Sequence, residues 1–212
     1  MDRHRRDVSE WLRTRRGRLQ TRGPSGWRNW NQYRSKLVAW LHASKREWPL
    51  GPDARVLYLG AAEGTTVSHV CDLCPRGRVA AIEVSPTAMA ELLIVAERYQ
   101  NLLPVLTDAH FPARYEPQAE GCGFLYQDIA QRDQLAIFLR NWEFYRPQQG
   151  LLMLKAPGIQ ARTPEAVLDE AESELRETFT IVERSDLSRW AKGHAAFWVE
   201  EPLGEHGATG EN

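Results

Sequence analysis

The sequence predicts an α/β protein: a doubly wound, mostly parallel sheet of seven strands with helices on both faces. Three observations lead there. Short apolar runs alternate with longer stretches of helical periodicity from Pro52 onward, and strands that alternate with helices build parallel sheets. The first two runs end in a glycine loop (Gly60 to Gly64) and an acid (Glu83), the chemistry found at the carboxyl edge of such sheets. Composition is that of an ordinary globular chain, with 42% hydrophobic and 26% charged residues among 212. That length suits one domain with a sizeable core.

The elements follow in order. Asn31 to Trp48 carries Tyr33, Leu37, Val38, Trp40 and Leu41 at near-helical spacing and stops at Pro49. Arg55–Gly60 is a buried strand, and Thr65–Leu73 the helix after it. Arg78–Val84 is the second strand, followed by a helix over Pro86–Tyr99, with Leu102–Leu106 as the third strand. Gly123–Asp128 leads to a helix over Arg132–Tyr145, and Gly150–Lys155 to a long helix over Pro164–Thr178. Phe179–Arg184 and Ala195–Val199 close the sheet. Residues 1–26 form a basic arginine-rich arm, with 1–23 an amphipathic helix or disordered and Gly23-Pro24-Ser25-Gly26 as a hinge. The main domain then spans 27–203, and 204–212 is a disordered tail.

Charge is divided unevenly. Residues 1–46 hold 13 Lys/Arg against 3 Asp/Glu, while the whole chain has a net charge of −1, so the rest is acidic. A basic segment on an acidic body points to a polyanion, with Arg13, Arg15, Arg16 and Arg18 as contacts and Trp11, Trp27 and Trp30 available to stack on bases. Trp40, Trp142 and Trp198 read as core or interface. No apolar run approaches the roughly 18 residues of a membrane span, and the N-terminus lacks an apolar signal region. Three cysteines make no disulfide framework, and Cys71-x-x-Cys74 lies inside a predicted helix with only one further cysteine and His69 to complete four ligands, so no metal is expected. These features place the chain in the cytoplasm.

The loop Gly60-Ala61-Ala62-Glu63-Gly64-Thr65-Thr66 lets the backbone turn tightly against a ligand. Glu83, at the end of the second strand, is placed to accept from both hydroxyls of an adenosine ribose. A dinucleotide fingerprint needs glycines where this loop has Ala62 and Thr65, and Glu63 would oppose a pyrophosphate. S-adenosyl-L-methionine, cationic at sulfur and free of phosphate, is the better match. Asp108 ends the third strand, where it can accept from an adenine amino group, and Asp128 ends the fourth.

Trp30-Asn31-Gln32-Tyr33-Arg34-Ser35-Lys36-Leu37 and Val56 through Val70 resemble fibrillarin and its archaeal relatives. Ala81 to Ser85, Thr107-Asp108-Ala109, Asp128 to Gln131 and Lys155-Ala156 continue the resemblance in the same order, over about residues 27–200. It implies an RNA ribose 2′-O-methyltransferase acting on rRNA or tRNA, with a catalytic Lys-Asp-Lys-His set on Lys36, Asp128, Lys155 and His194. The implied cofactor contacts are Thr65, Thr66, Glu83, Val84, Asp108, Ala109, Asp128, Ile129, Ala130 and Gln131, beside Gly60 and Ala61 of the loop. Arg34 and Lys36 are expected against the RNA. The family works with a Nop5-type scaffold protein, a guide RNA and a kink-turn binder. Archaeal members carry a β-rich N-terminal subdomain where this chain has its arginine-rich arm, so a stand-alone enzyme or a different partner is the competing expectation.

The chemistry asks for groups of these kinds. A ribose hydroxyl is a weak acid that must lose its proton as it attacks a methyl carbon in line, so positioning and charge stabilisation supply much of the catalysis. Lys155, at the end of an apolar strand, is expected to be desolvated into a neutral base, oriented by Asp128, with Lys36 and His194 holding ribose and phosphate. Two alternatives stand beside this: methylation of a protein side chain or small molecule, and a non-catalytic RNA-binding protein that holds the same cofactor.

Overall fold

The structure is a computed structural model that describes residues 10–44, 46–156 and 163–202. Three strands come first: β1 (Leu12–Arg15), β2 (Arg18–Gly23) and β3 (Gly26–Asn29). Then follow α1 (Lys36–Ala43), β4 (Arg55–Leu59), α2 (Thr65–Leu73), β5 (Arg78–Glu83), α3 (Pro86–Ala96) and β6 (Leu102–Leu106). A 3-10 turn (Pro112–Tyr115) and α4 (Glu116–Ala119) precede β7 (Phe124–Gln127), α5 (Gln134–Tyr145) and β8 (Gln149–Lys155). The chain closes with α6 (Pro164–Thr178), β9 (Thr180–Asp186) and β10 (His194–Glu200).

The main sheet has seven strands in the order β6-β5-β4-β7-β8-β10-β9. β4 through β8 run parallel, whereas β10 is antiparallel to both β8 and β9. Strand order reverses between β4 and β7, which is where ligands lie in open α/β sheets. The central strands are apolar on both faces because helices cover both. One core contains Val56, Tyr58, Val70, Trp40 and Trp198, the other Leu57, Leu59, Phe138, Trp142 and Phe197. The doubly wound sheet expected from the alternating pattern is therefore present. Trp40, Trp142 and Trp198 are buried in it.

Helix ends differ from the expectation where side chains compete for the backbone. The helix expected over Asn31–Trp48 is confined to Lys36–Ala43. Asn31 Oδ1 accepts from Tyr33 N at 2.9 Å and its carbonyl from Arg34 N at 3.1 Å, a turn that delays helix entry to Lys36. By contrast α6 has its expected limits, with Thr163 capping Ala166 N at 3.2 Å and Pro164 in the first turn.

The arm expected to be a helix or disordered is, over residues 12–29, a three-stranded antiparallel sheet. A boundary after residue 26 would cut it within β3, and Gly23-Pro24-Ser25-Gly26 is its β2–β3 turn rather than a hinge. The physical reason is period. Leu12, Leu19 and Thr21 alternate inward while the arginines between them point out, a period-2 pattern that a helical reading of Val8, Trp11, Leu12 and Leu19 overlooks. Val8, residues 1–9 generally and the tail 204–212 lie outside the described residues.

This small sheet is fastened to α2. Thr21 Oγ1 donates to Asp72 Oδ2 at 2.5 Å and lies 2.6 Å from His69 Nδ1. Arg28 Nε reaches the same Asp72 oxygen at 2.7 Å, and Trp30 stacks on His69 with ring centroids 4.8 Å apart. With Thr21's proton given to Asp72, His69 Nδ1 must be the donor to Thr21. Burial, reinforced by Arg28, pushes His69 down to about 3. Leu12, Leu19 and Trp30 join the core under β4, so the sheet and the main domain share one interior.

Candidate active site

The loop after β4 is shaped by backbone rather than side chains. Gly60 has φ +82, and a Cβ there would lie 2.4 Å from the Asp128 carbonyl oxygen, so only glycine fits between the two strand ends. Gly60 N and Ala61 N both donate to Ile82 O. Ala62 takes φ +48, a left-handed conformation that costs an alanine about 1–2 kcal/mol. That strain aims Ala62 N at Glu83 Oε2, 2.8 Å away. Glu83 Oε1 accepts from Val84 N at 3.0 Å and Ser85 N at 2.8 Å. Three amides thus hold one carboxylate in a single orientation at the carboxyl end of β5.

A cleft of about 250 Å³ opens there, lined by Gly60, Ala62, Ile82, Glu83, Val84, Thr107, Asp108, Ala109, Asp128, Ile129, Ala130, Gln131 and Ile137. Its far wall is organised by His110, whose Nδ1 is 2.6 Å from Asp108 Oδ1 and whose Nε2 is 2.6 Å from Asp133 Oδ2. The hydrogen bonds to Asp133 and Asp108 raise His110, and His110 in turn holds both acids below the usual carboxylate range.

A second hollow of about 180 Å³ shares Asp128 with the first, and is lined by Gln32, Tyr33, Arg34, Ser35, Lys36, Ala39, Trp190 and Ala191. Lys36 Nζ lies 2.8 and 3.0 Å from the two Asp128 oxygens, across the seam between the hollows. On the neighbouring strands, His194 of β10 stands directly opposite Lys155 of β8. His194 Nδ1 is 3.0 Å from Lys192 O and must donate to that carbonyl, which leaves Nε2 as the acceptor of a neutral ring. Burial is the main cause that lowers His194 below 6.5, helped by the charges of Lys36 and Lys155 and opposed by the Lys192 carbonyl and Asp128.

Nine of the residues expected around a cofactor line the first cleft: Gly60, Glu83, Val84, Asp108, Ala109, Asp128, Ile129, Ala130 and Gln131. Ala61, Thr65 and Thr66 do not. Ala61 is buried in the core, and the two threonines form the first turn of α2, with Thr65 Oγ1 bonded to Glu63. Lys155 is exposed, so burial does not supply the desolvation expected of it. Asp128 pairs with Lys36 and not with Lys155. Among the indoles expected to stack on bases, Trp30 is buried against His69 and Trp27 lies under the Arg13 guanidinium at 3.9 Å.

One positioning residue had no signal in the chain. Gln134 is buried, donates to Lys155 O at 2.8 Å and accepts from Lys155 N at 3.0 Å. Its own carbonyl is held by Gln127 at 2.6 Å, so the end of β8 is clamped by the first turn of α5. A polar residue opening a helix reads as solvated from sequence, and only the fold shows it buried.

The donor set suits S-adenosyl-L-methionine. A fixed carboxylate is available to ribose hydroxyls, small residues line the cleft, and among the described residues that line it there is no Lys or Arg to meet a pyrophosphate. Comparison with known proteins agrees. The family model described as Fibrillarin matches residues 13–202. A fibrillarin-like rRNA/tRNA 2′-O-methyltransferase of Methanothermobacter thermautotrophicus is 39% identical over 185 residues, 85% of this chain and 83% of the relative. One of the same description from Thermoplasma acidophilum is 37% identical over 176 residues, 83% of this chain and 76% of the relative. Among solved structures, the fibrillarin/Nop5p complex gives a TM-score of 0.84 at 32% identity, covering 90% of this chain and 97% of that one. Aeropyrum pernix fibrillarin with natively bound S-adenosyl-L-methionine gives 0.80 at 32% identity, covering 92% of this chain and 96% of that one. The family match begins inside β1, so the small sheet is part of what is shared, and by all of these measures the chain belongs to the fibrillarin family.

Proposed function

We propose that the chain is an S-adenosyl-L-methionine-dependent methyltransferase that modifies ribose 2′-hydroxyls of rRNA or tRNA. The observation that carries this reading is the Lys36–Asp128 pair at the seam of two hollows, with Lys155 and His194 on adjoining strands. When bound, the cofactor supplies a methyl group on a cationic sulfur. Glu83 and Asp108 would hold its nucleoside end in the first cleft, whose apolar lining includes Ile129 and Ile137.

The acceptor ribose enters the second hollow, where Lys36 and Arg34 meet its phosphates. Asp128 keeps Lys36 in place and adds a negative charge beside a cationic reaction centre. The proton of the 2′-hydroxyl passes to His194 Nε2, since that ring is neutral, already oriented by Lys192 O, and flanked by cations that favour the neutral form. The exposed Lys155 then stabilises the oxygen as it becomes anionic. This assignment moves the general base from Lys155 to His194.

The names of the relatives support rRNA and tRNA as substrates, and the fibrillarin/Nop5p complex supports a Nop5-type scaffold as the working partner. Among the described residues no helix is long and apolar enough to cross a membrane, and we place the protein in the cytoplasm.

The test is transfer from labelled cofactor to cellular RNA, with the protein alone and with a Nop5-type scaffold and guide RNA. Label that makes the adjacent phosphodiester resist alkaline hydrolysis is expected. Label on bases or on protein would overturn the reading.

A further inference from the structure

The outer face of the N-terminal sheet carries charge that the fold does not use. The register sets Arg13 opposite Gln20 and Gln20 opposite Asn29, Arg15 opposite Arg18, and Arg22 opposite Trp27. Directly opposed residues share a face, as do residues two apart on one strand. Arg13, Arg15, Arg18 and Arg22 therefore stand together on one side of the sheet. Leu12, Leu19, Thr21 and Arg28 take the other, against α2.

Two features show that this face is not there for folding. Like charges directly opposite destabilise a sheet, and Arg15–Arg18 is such a pair. Among the described residues Arg15, Arg16 and Arg18 meet no carboxylate, and Arg22 meets only the exposed Glu10, at 3.3 Å. Arg16 adds its charge at the hairpin tip, where it and Gly17 take φ +51 and +73.

The chemistry of the face selects its partner. A protein partner needs an apolar centre to bury, and none is offered here, because the Trp27 indole lies under Arg13 and the half-buried Trp11, opposite Arg22, has that guanidinium over its ring at 5.7 Å. The same cover removes Trp27 as a stacking platform for bases. Gln20 Oε1 accepts from Arg13 Nε at 2.9 Å and Gln20 Nε2 donates to Asn29 Oδ1 at 2.7 Å, so the polar side chains are also tied to one another. What remains free is guanidinium, the group suited to phosphate.

We infer that the outer face of β1-β2-β3 docks the sugar-phosphate backbone of RNA, without reading its bases. This rests on the reading that RNA is the substrate. The sheet is locked to α2 through Asp72, and β3 leads within a few residues to Lys36, so the docked backbone holds a fixed position relative to the acceptor hollow. The face contributes to RNA binding and not to the chemical step.

The experiment measures RNA affinity against salt concentration for the full chain and for R15A/R18A/R22A, using oligouridylate and a mixed-sequence RNA duplex. Each lost phosphate contact lowers the slope by about 0.7 on a single strand and about 0.9 on a duplex. The variant is expected to lose about two to three units of duplex slope, equally for any sequence. Lysine at the same three positions restores it. Melting temperature does not fall in R15A/R18A/R22A, since the side chains are exposed and the Arg15–Arg18 repulsion is relieved. An unchanged slope overturns the inference, and so does retained RNA binding with loss of binding to a scaffold protein. Methyl transfer is followed in parallel. A lowered slope with no transfer by either protein sinks the enzymatic reading alone, whereas transfer by both with an unchanged slope sinks the docking face alone.

Discussion

Lys36, at the start of α1, and Asp128, after β7, join through two contacts of 2.8 and 3.0 Å although 92 residues separate them in sequence. The pair is partly solvent-exposed, so its weight in folding is small, about 1 kcal/mol or less. Its location gives it weight in catalysis. Lys36→Ala is expected to lower methyl transfer by about a hundredfold or more while cofactor affinity, measured by calorimetry, stays within about threefold, because Lys36 does not line the cofactor cleft. Asp128→Asn loses both transfer and affinity, since Asp128 lines both hollows. Equal cofactor affinities for the two variants would contradict this division.

His194 is lowered below its ordinary 6.5, first by burial and then by Lys36 and Lys155. A base must be unprotonated, so the rate is expected to hold as pH falls to 6.5 and to decline only at lower pH, as the ring takes up a proton. His194→Gln should remove that acid limb and reduce kcat by about 10²–10⁴. A pH profile that keeps its acid limb in the variant would return the role of base to another group.

Gly60 leaves no room for a side chain beside the Asp128 carbonyl. Gly60→Ala faces both a 2.4 Å clash with backbone and a left-handed φ, and is expected to cost about 1–3 kcal/mol of stability. Separating β4 from β7 would also displace Glu83's anchor at Ala62, so cofactor binding should fall more than stability does. Thermal melting with and without cofactor measures both. A variant that is stabilised by cofactor as much as the parent would contradict the close approach.

His69 links stability to acid. In the fold it stays neutral down to about 3, whereas in the unfolded chain it takes a proton near 6.5. The unfolded state therefore binds more protons between these values, and stability falls as pH drops through that window. His69→Gln should flatten this part of the curve. Asp72→Ala removes the acceptor of both Thr21 and Arg28 from a fully buried position, at an expected cost of about 3–5 kcal/mol. Proteolysis in the β1–β3 segment ahead of global unfolding would report that the small sheet has come free.

Much of the fold was legible because it follows local rules. α2, α6 and β6 have the limits that apolar runs, caps and proline predict, and the strand-end acids Glu83, Asp108 and Asp128 lie on one edge because parallel strands present their ends together. Over residues 12–29 the strands are hidden in the sequence, because five arginines between 13 and 22 mask a period of two and each strand is too short a signal alone. Ala61, Thr65 and Thr66, expected at the cofactor, are not among the residues that line the cleft, since Ala61 is buried in the core and the threonines open α2.

The chain by itself determined the sheet, the edge at which chemistry occurs, and the types of side chain present there, since these depend on periodicity and on the order of motifs. Tertiary structure alone decided how those side chains pair. Asp128 holds Lys36 and not Lys155, His194 is half-buried opposite an exposed Lys155, Gln134 clamps the end of β8, and the arginines of residues 13–22 stand on one face of a sheet rather than on an arm. The reason is that pairing and burial depend on contacts between segments far apart in sequence, and those distances exist only once the chain has packed.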